Sequence, residues 1–240
     1  MKPGGGPRLT QGPIGQSIRS LMLPMMVGMI ALISYNIADT WFVGQIGTME
    51  LAAISFTFPV AFIVGAITMG FGIGTSSVAA RLFGADKREE VERVTVHAIL
   101  LGVVTGLCVV LLGVSTIDPV FRLLGADETT LPIIREYMSI YYWGGVFVVM
   151  PMITNSVLRA SGDAKTPAKL MATAAVLNIA LDPILIFGMF GVPELGVRGA
   201  AIATVIANAL TMVASIGVVY FRDKLISFSG LNPKLILDSW

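Results

Sequence analysis

The stretch Leu177-Asn178-Ile179-Ala180-Leu181-Asp182-Pro183-Ile184-Leu185 sets an amide and a carboxylate four residues apart inside an otherwise apolar run, Leu170–Phe190. Residues i and i+4 share a helix face, so Asn178 and Asp182 point the same way, about 6 Å apart along the axis. Pro183 has no N–H, which leaves the carbonyl of Ile179 without its helical partner beside those two side chains. Three oxygen-bearing groups converging inside an apolar segment read as a site.

The rest of the chain says what surrounds that segment. Of its 240 residues, 55% are hydrophobic and 13% charged, with a mean hydropathy of +0.83. A soluble domain carries about 25% charged residues, so this chain cannot cover a surface with polar groups. Several nearly charge-free runs reach the roughly 20 residues that cross a bilayer's hydrocarbon. The expected class is an all-α polytopic membrane protein. Six transmembrane helices are expected, near Ser20–Val43, Leu51–Ala80, Val94–Ile117, Ile133–Leu158, Ala168–Phe190 and Gly196–Phe221. With the N-terminus inside, 13 of the 16 Lys and Arg residues fall on the cytoplasmic side, which places both termini there. Residues 1–17 are then a cytoplasmic tail, 18–221 a transmembrane lobe and 222–240 a cytoplasmic linker towards an absent second lobe. The first apolar run is too long for a signal peptide and lacks a small-residue cleavage site.

Other classes find no support. The net charge of +1 comes with no basic patch for nucleic acid. Cys108 is the single cysteine and forms no intrachain disulfide. Gly70, Gly72 and Gly74 follow no strand, so they read as close helix packing rather than a nucleotide fingerprint. No nucleophile–base pair, phosphate loop or His/Cys cluster points to an enzyme, and no cofactor is implied.

Polar residues inside the spans carry the remaining signal. Span 1 holds Pro24 with Gly28 one turn later, a kink site, and then Tyr35, Asn36 and Asp39. A carboxylate in mid-membrane costs about 2.5–3.5 kcal/mol on insertion scales, unless Asp39 sits at the interface. Asp182 and Thr204 each lie about 12 Å from the outer end of their spans, with Asp39 somewhat higher. No Lys or Arg occurs within 20–43 or 170–190, so both acids need a bound cation, water or a proton. Charges of one sign within the membrane favour cationic cargo. Tyr137, Tyr141, Tyr142 and Trp143 form either an anchoring belt or part of a cavity wall. Arg81-x-x-Gly84 and Arg159-x-x-Gly162 read as matching helix stops with glycine in the left-handed conformation.

Taken together, Pro24, Asp39-Thr40-Trp41-Phe42-Val43-Gly44, the loop Leu158–Pro167, Asn178-x3-Asp182-Pro183 and Gly199-Ala200-Ala201-Ile202-Ala203-Thr204 resemble the multidrug and toxic compound extrusion (MATE) transporters of prokaryotic type. The resemblance implies two six-helix lobes around a cleft and export of amphipathic organic cations driven by H⁺ or Na⁺ in the cytoplasmic membrane. It implies that Asp39 is the coupling acid of helix 1 and Pro24 its bend. Asn178, Asp182 and Thr204, with the Ala200 carbonyl, are implied as cation ligands, with Na⁺ possible at Asp39, Asn178, Asp182 and Thr204. Tyr35, Asn36, Tyr137 and Asn155 match substrate-lining positions. The family has twelve helices and this chain six, so it reads as the N-terminal lobe, whose partners are the bilayer and a second lobe or a second copy. The rivals are a lipid or oligosaccharide-lipid flippase of the same superfamily and a non-transporting dimerisation module.

Overall fold

A computed structural model describes residues 14–226, where eight α-helices carry almost the whole chain. They are α1 (Ile14–Ile46), α2 (Thr48–Ser55), α3 (Thr57–Gly84), α4 (Arg88–Leu123), α5 (Thr130–Trp143), α6 (Gly145–Ala160), α7 (Lys165–Phe187) and α8 (Val197–Gly217). A single π turn, Val218–Arg222, extends α8. Four of the expected spans are α1, α4, α7 and α8, while the second and fourth are each split in two. Five stretches are long and apolar enough to cross a membrane, with Thr48–Gly84 taken as one. The remaining span divides at Gly144 into helices of 14 and 16 residues, each short of a full crossing. Most of the expected tail and linker lies outside the described residues, although α1 already includes 14–17.

Prolines mark where helices start and where they are stressed. Pro59, Pro132 and Pro167 occupy the third position of α3, α5 and α7, where a backbone N–H would have no helical acceptor. Pro24, Pro119, Pro151 and Pro183 lie inside α1, α4, α6 and α7, and each helix continues through. The break at Gly144 has a packing cause. A Cβ there would run into the Val205 side chain of α8, and one on Gly145 would stand 3.0 Å from the Gly106 carbonyl of α4. Glycines 102, 106 and 113 open one face of α4 to this hairpin. A Cβ on Gly106 would meet Val146 Cα at 2.6 Å, and one on Gly113 would run into the Tyr142 ring. Of the glycines in α3, Gly72 packs against Ser156, whereas Gly70 and Gly74 meet nothing within 4 Å. Close packing therefore holds for one of the three.

The expected helix stops need one correction. Gly162 has the left-handed backbone (φ 86°) and donates its N–H to the Arg159 carbonyl, while Asp163 N–H reaches Leu158 O. After α3 the same two bonds come from Asp86 and Lys87 to Phe83 and Leu82, with Asp86 rather than Gly84 at φ 59°. Aspartate tolerates this conformation better than most side chains, so Gly84 stays helical. Gly125 and Ala126 close α4 in the same way.

Contacts orient the bundle. The first half of α1 lies beside the start of α7, since a Cβ on Gly28 would stand 3.2 Å from Met171 Sδ. Arg222, after α8, bonds Asp163 Oδ2 (2.7 Å) and Thr166 Oγ1 (2.8 Å) in front of and within the first turn of α7. Arg88, at the start of α4, bonds the carbonyls of Asp223 (2.9 Å) and Lys224 (3.2 Å). Both ends of the described chain thus sit at one end of the bundle, here the proximal end, with the α3–α4 and α6–α7 loops. The distal end holds the main core, where Val43, Ile54, Phe121, Ile134, Met138, Ile186 and Ala200 pack together. Between the two ends a chamber opens.

Candidate ion and cargo site

Five helices each give one stripe to this chamber of about 760 Å³. The stripe of α6 runs Val148, Pro151, Met152, Asn155, Arg159, and that of α7 runs Met171, Ala174, Ala175, Asn178. From α8 come Thr204, Ala207, Asn208 and Thr211, from α1 Leu32, Tyr35 and Asn36, and from α3 Phe58 to Gly65. The i, i+3, i+4 spacing of the α1, α6, α7 and α8 stripes is that of one helix face, and α3 adds Phe58, Pro59, Ala61, Phe62 and Gly65. Asn155, Asn178 and Thr204 are buried, and Asn178 Nδ2 donates to Thr204 Oγ1 at 3.4 Å. The side-chain oxygens of Asn155 and Asn178 have no hydrogen-bond partner.

The two acids lie one helical turn beyond the chamber wall, towards the distal end. Asp39 follows Tyr35 on α1 and Asp182 follows Asn178 on α7, each by four residues. Both are buried, Asp182 completely, and the two carboxylates are within electrostatic reach of one another. Asp39 Oδ1 and both oxygens of Asp182 lack hydrogen-bond partners. Neither acid forms an ion pair among the described residues. Tyr35 lies one turn before Asp39 on α1, and Tyr137 is buried in the distal core. Buried anionic oxygens without partners are costly, and a proton or a hard cation relieves that cost.

The remaining residues of the expected site fall as follows. Tyr35, Asn36 and Asn155 line the chamber. Tyr137 does not. It is buried in the distal core and stacked on Tyr141, with ring centroids 6.3 Å apart. Tyr141 is on the wall in its place. Ala200 is fully buried one turn before Thr204, where α8 packs on α7, and a Cβ on the preceding Gly199 would stand 2.5 Å from Leu185. Pro24 lies inside an unbroken α1, nearer the proximal end. Asn208 and Thr211 were absent from the expected set, although their spacing from Thr204 carries the signal. Arg159 is the larger omission. Its place at the end of α6 reads as a helix stop, yet it is the charged residue on the chamber wall among the described residues, the acids lying beyond that wall.

Helices long and apolar enough to cross a membrane, a largely apolar chamber among them with a few polar groups on its wall, and carboxylates buried beside it are the features of a small-molecule membrane transporter. The MatE family profile matches residues 24–184, and the chain belongs to this family of multi-pass transporters. It is 36% identical over 232 residues to the FAD transporter of Shewanella oneidensis, covering 97% of this chain and 51% of that protein. It is 32% identical to the multidrug export protein MepA of Staphylococcus aureus, covering 89% of this chain and 46% of MepA. A solved MATE-family multidrug resistance transporter in an outward-facing conformation superposes with a TM-score of 0.90 at 32% identity, over all of this chain and 53% of that one. A MOP-superfamily transporter from Pyrococcus furiosus, described as having a binding pocket of reverse polarity, matches equally well, with a TM-score of 0.90. The chain spans about half the length of these relatives.

Proposed function

We propose that this lobe couples the entry of H⁺ or Na⁺ to the export of small amphipathic organic molecules, organic cations foremost, by alternating access. The observation that carries the reading is the buried pair Asp39 and Asp182, whose oxygens lack partners. In the charged state the pair gives the distal end of the chamber a negative potential that holds a cationic cargo. A proton or a sodium ion, with Asn178 and Thr204 contributing oxygens, neutralises the pair and removes that attraction. The cargo leaves as α1 rearranges about Pro24, where the freed carbonyl of Ser20 lowers the cost of bending. A second six-helix lobe closes the chamber's open side, in keeping with relatives about twice as long. The proximal end, which carries the excess of Lys and Arg, faces the cytoplasm.

A second reading, export of an anionic flavin nucleotide, is favoured by Arg159 on the chamber wall and by the similarity to the FAD transporter. The test is efflux of an organic cation from proteoliposomes under an imposed pH or Na⁺ gradient. Asp39→Asn and Asp182→Asn should each lower gradient-driven efflux at least tenfold while the proteins remain folded. A dimerisation module would show no efflux to lose, and undiminished efflux in both variants would refute the coupling role.

A further inference from the structure

We propose that the proximal end of the chamber is an anion subsite, in which Arg159 takes the phosphate or carboxylate of a cargo whose apolar body lies against the chamber wall. The inference rests on the export reading for the chamber's role as a cargo site. Of the eight other described arginines, those at 88, 122, 135, 198 and 222 each hold a carboxylate, while Arg19, Arg81 and Arg93 hold none and do not line the chamber. Arg159 holds none among the described residues. Its guanidinium donates to Ser156 Oγ at 2.6 Å, one turn back on its own helix. A guanidinium has five N–H donors in a planar fork that matches carboxylate and phosphate oxygens two at a time. Most of that fork has no hydrogen-bond partner, on a residue that lines the chamber.

The wall above it suits a particular cargo. Asn155 lies one turn from Arg159 on the same face of α6, and Asn178 stands on α7. Both are at least nine-tenths buried, and their side-chain oxygens are enclosed without a donor rather than exposed to the chamber. Asn36 and Asn208 turn their NH₂ groups back to Leu32 O (2.7 Å) and Thr204 O (2.9 Å) of their own helices. The rest of the wall is mostly apolar and suits the flat body of an amphipathic cargo. The acids lie beyond Asn178 at the opposite end, so the chamber is polarised along its length, cationic at the proximal end and anionic at the distal one. At about 760 Å³ it falls in the range that holds one drug-sized or mononucleotide-sized molecule.

The experiment compares riboflavin and flavin mononucleotide, which share a ring and differ by a phosphate. Their binding to the full chain is followed by flavin fluorescence in nanodiscs, with no ion gradient, so a failure of coupled export leaves this result standing. In neutral phosphatidylcholine the wild type should bind the mononucleotide at least tenfold more tightly. Arg159→Gln should bring the ratio to within twofold of one, and Arg159→Lys should keep an intermediate ratio. Nanodiscs containing anionic phosphatidylglycerol separate the sources of phosphate. A preference that persists there assigns the subsite to a soluble anion, and one lost only there assigns it to a lipid headgroup. Equal or absent binding of the two flavins by the wild type, or a preference that survives Arg159→Gln, would overturn the proposal.

Discussion

Asp182 is the most costly residue in the lobe, fully buried with both oxygens unpaired. On the proposed coupling role such a group serves function at the expense of stability, which gives a pair of expectations of opposite sign. Asp182→Asn, nearly the same shape without the charge, should stabilise the protein by about 1 kcal/mol while uncoupling transport. Thermal melting beside proteoliposome efflux checks both at once. Thr204→Val removes the partner of the Asn178 amide. It should cost about 1 kcal/mol and weaken the response to the coupling ion. Asp39, Asn178, Asp182 and Thr204 stand out in the sequence because a polar group inside an apolar run is conspicuous, and the fold buries all four. Arg159 does not, because at a helix end a basic residue has an ordinary use. Only the fold shows that the end of α6 turns its last face to the chamber.

Among the elements, α4 and α1 are opposites. The glycines of α4 let the α5–α6 hairpin approach to backbone contact, and Gly106→Val should be destabilising by about 1–3 kcal/mol, since Val146 Cα leaves no room. Gly74→Ala, which meets nothing within 4 Å, serves as the control in the same melting series. α1 instead buries only Gly28, Asp39 and Val43, so one narrow stripe ties it to the lobe. A helix so lightly packed can rearrange without dismantling the core, which suits an element asked to move. The helical spans were predictable from apolar run length. Of their breaks, the one at Phe56 has a local cue in Pro59, whereas the one at Gly144 depends on what lies across the interface rather than on the local sequence. Gly84 shows the same limit at a turn: the motif marked the stop, but the backbone chose Asp86 for the left-handed position.

For the whole molecule, the proximal network decides how the lobe is closed. Asp163 joins the start of α7 to Arg222 beyond α8, and Asp223 is buried against the same guanidinium. Burial pushes the Asp163 carboxyl up, but the Thr166 hydroxyl and amide and the Arg222 guanidinium more than cancel this and hold it below the usual range. A folded value below the unfolded one means that the contribution is complete above the ordinary carboxylate value, near pH 4. It is then lost as pH falls through the folded value. Asp163→Asn should cost about 1 kcal/mol near neutral pH, Arg222 being partly exposed, and should flatten the acid limb of the stability curve. Coupling, in the proposed function, is competition between a small cation and the cargo through the Asp39–Asp182 pair. Equilibrium binding of an organic cation, measured against pH and Na⁺ concentration, tests it most directly. Affinity should fall at least tenfold on acidification or on adding Na⁺, and Asp39→Asn with Asp182→Asn should abolish that dependence. Affinity indifferent to both ions in the wild type would contradict the account.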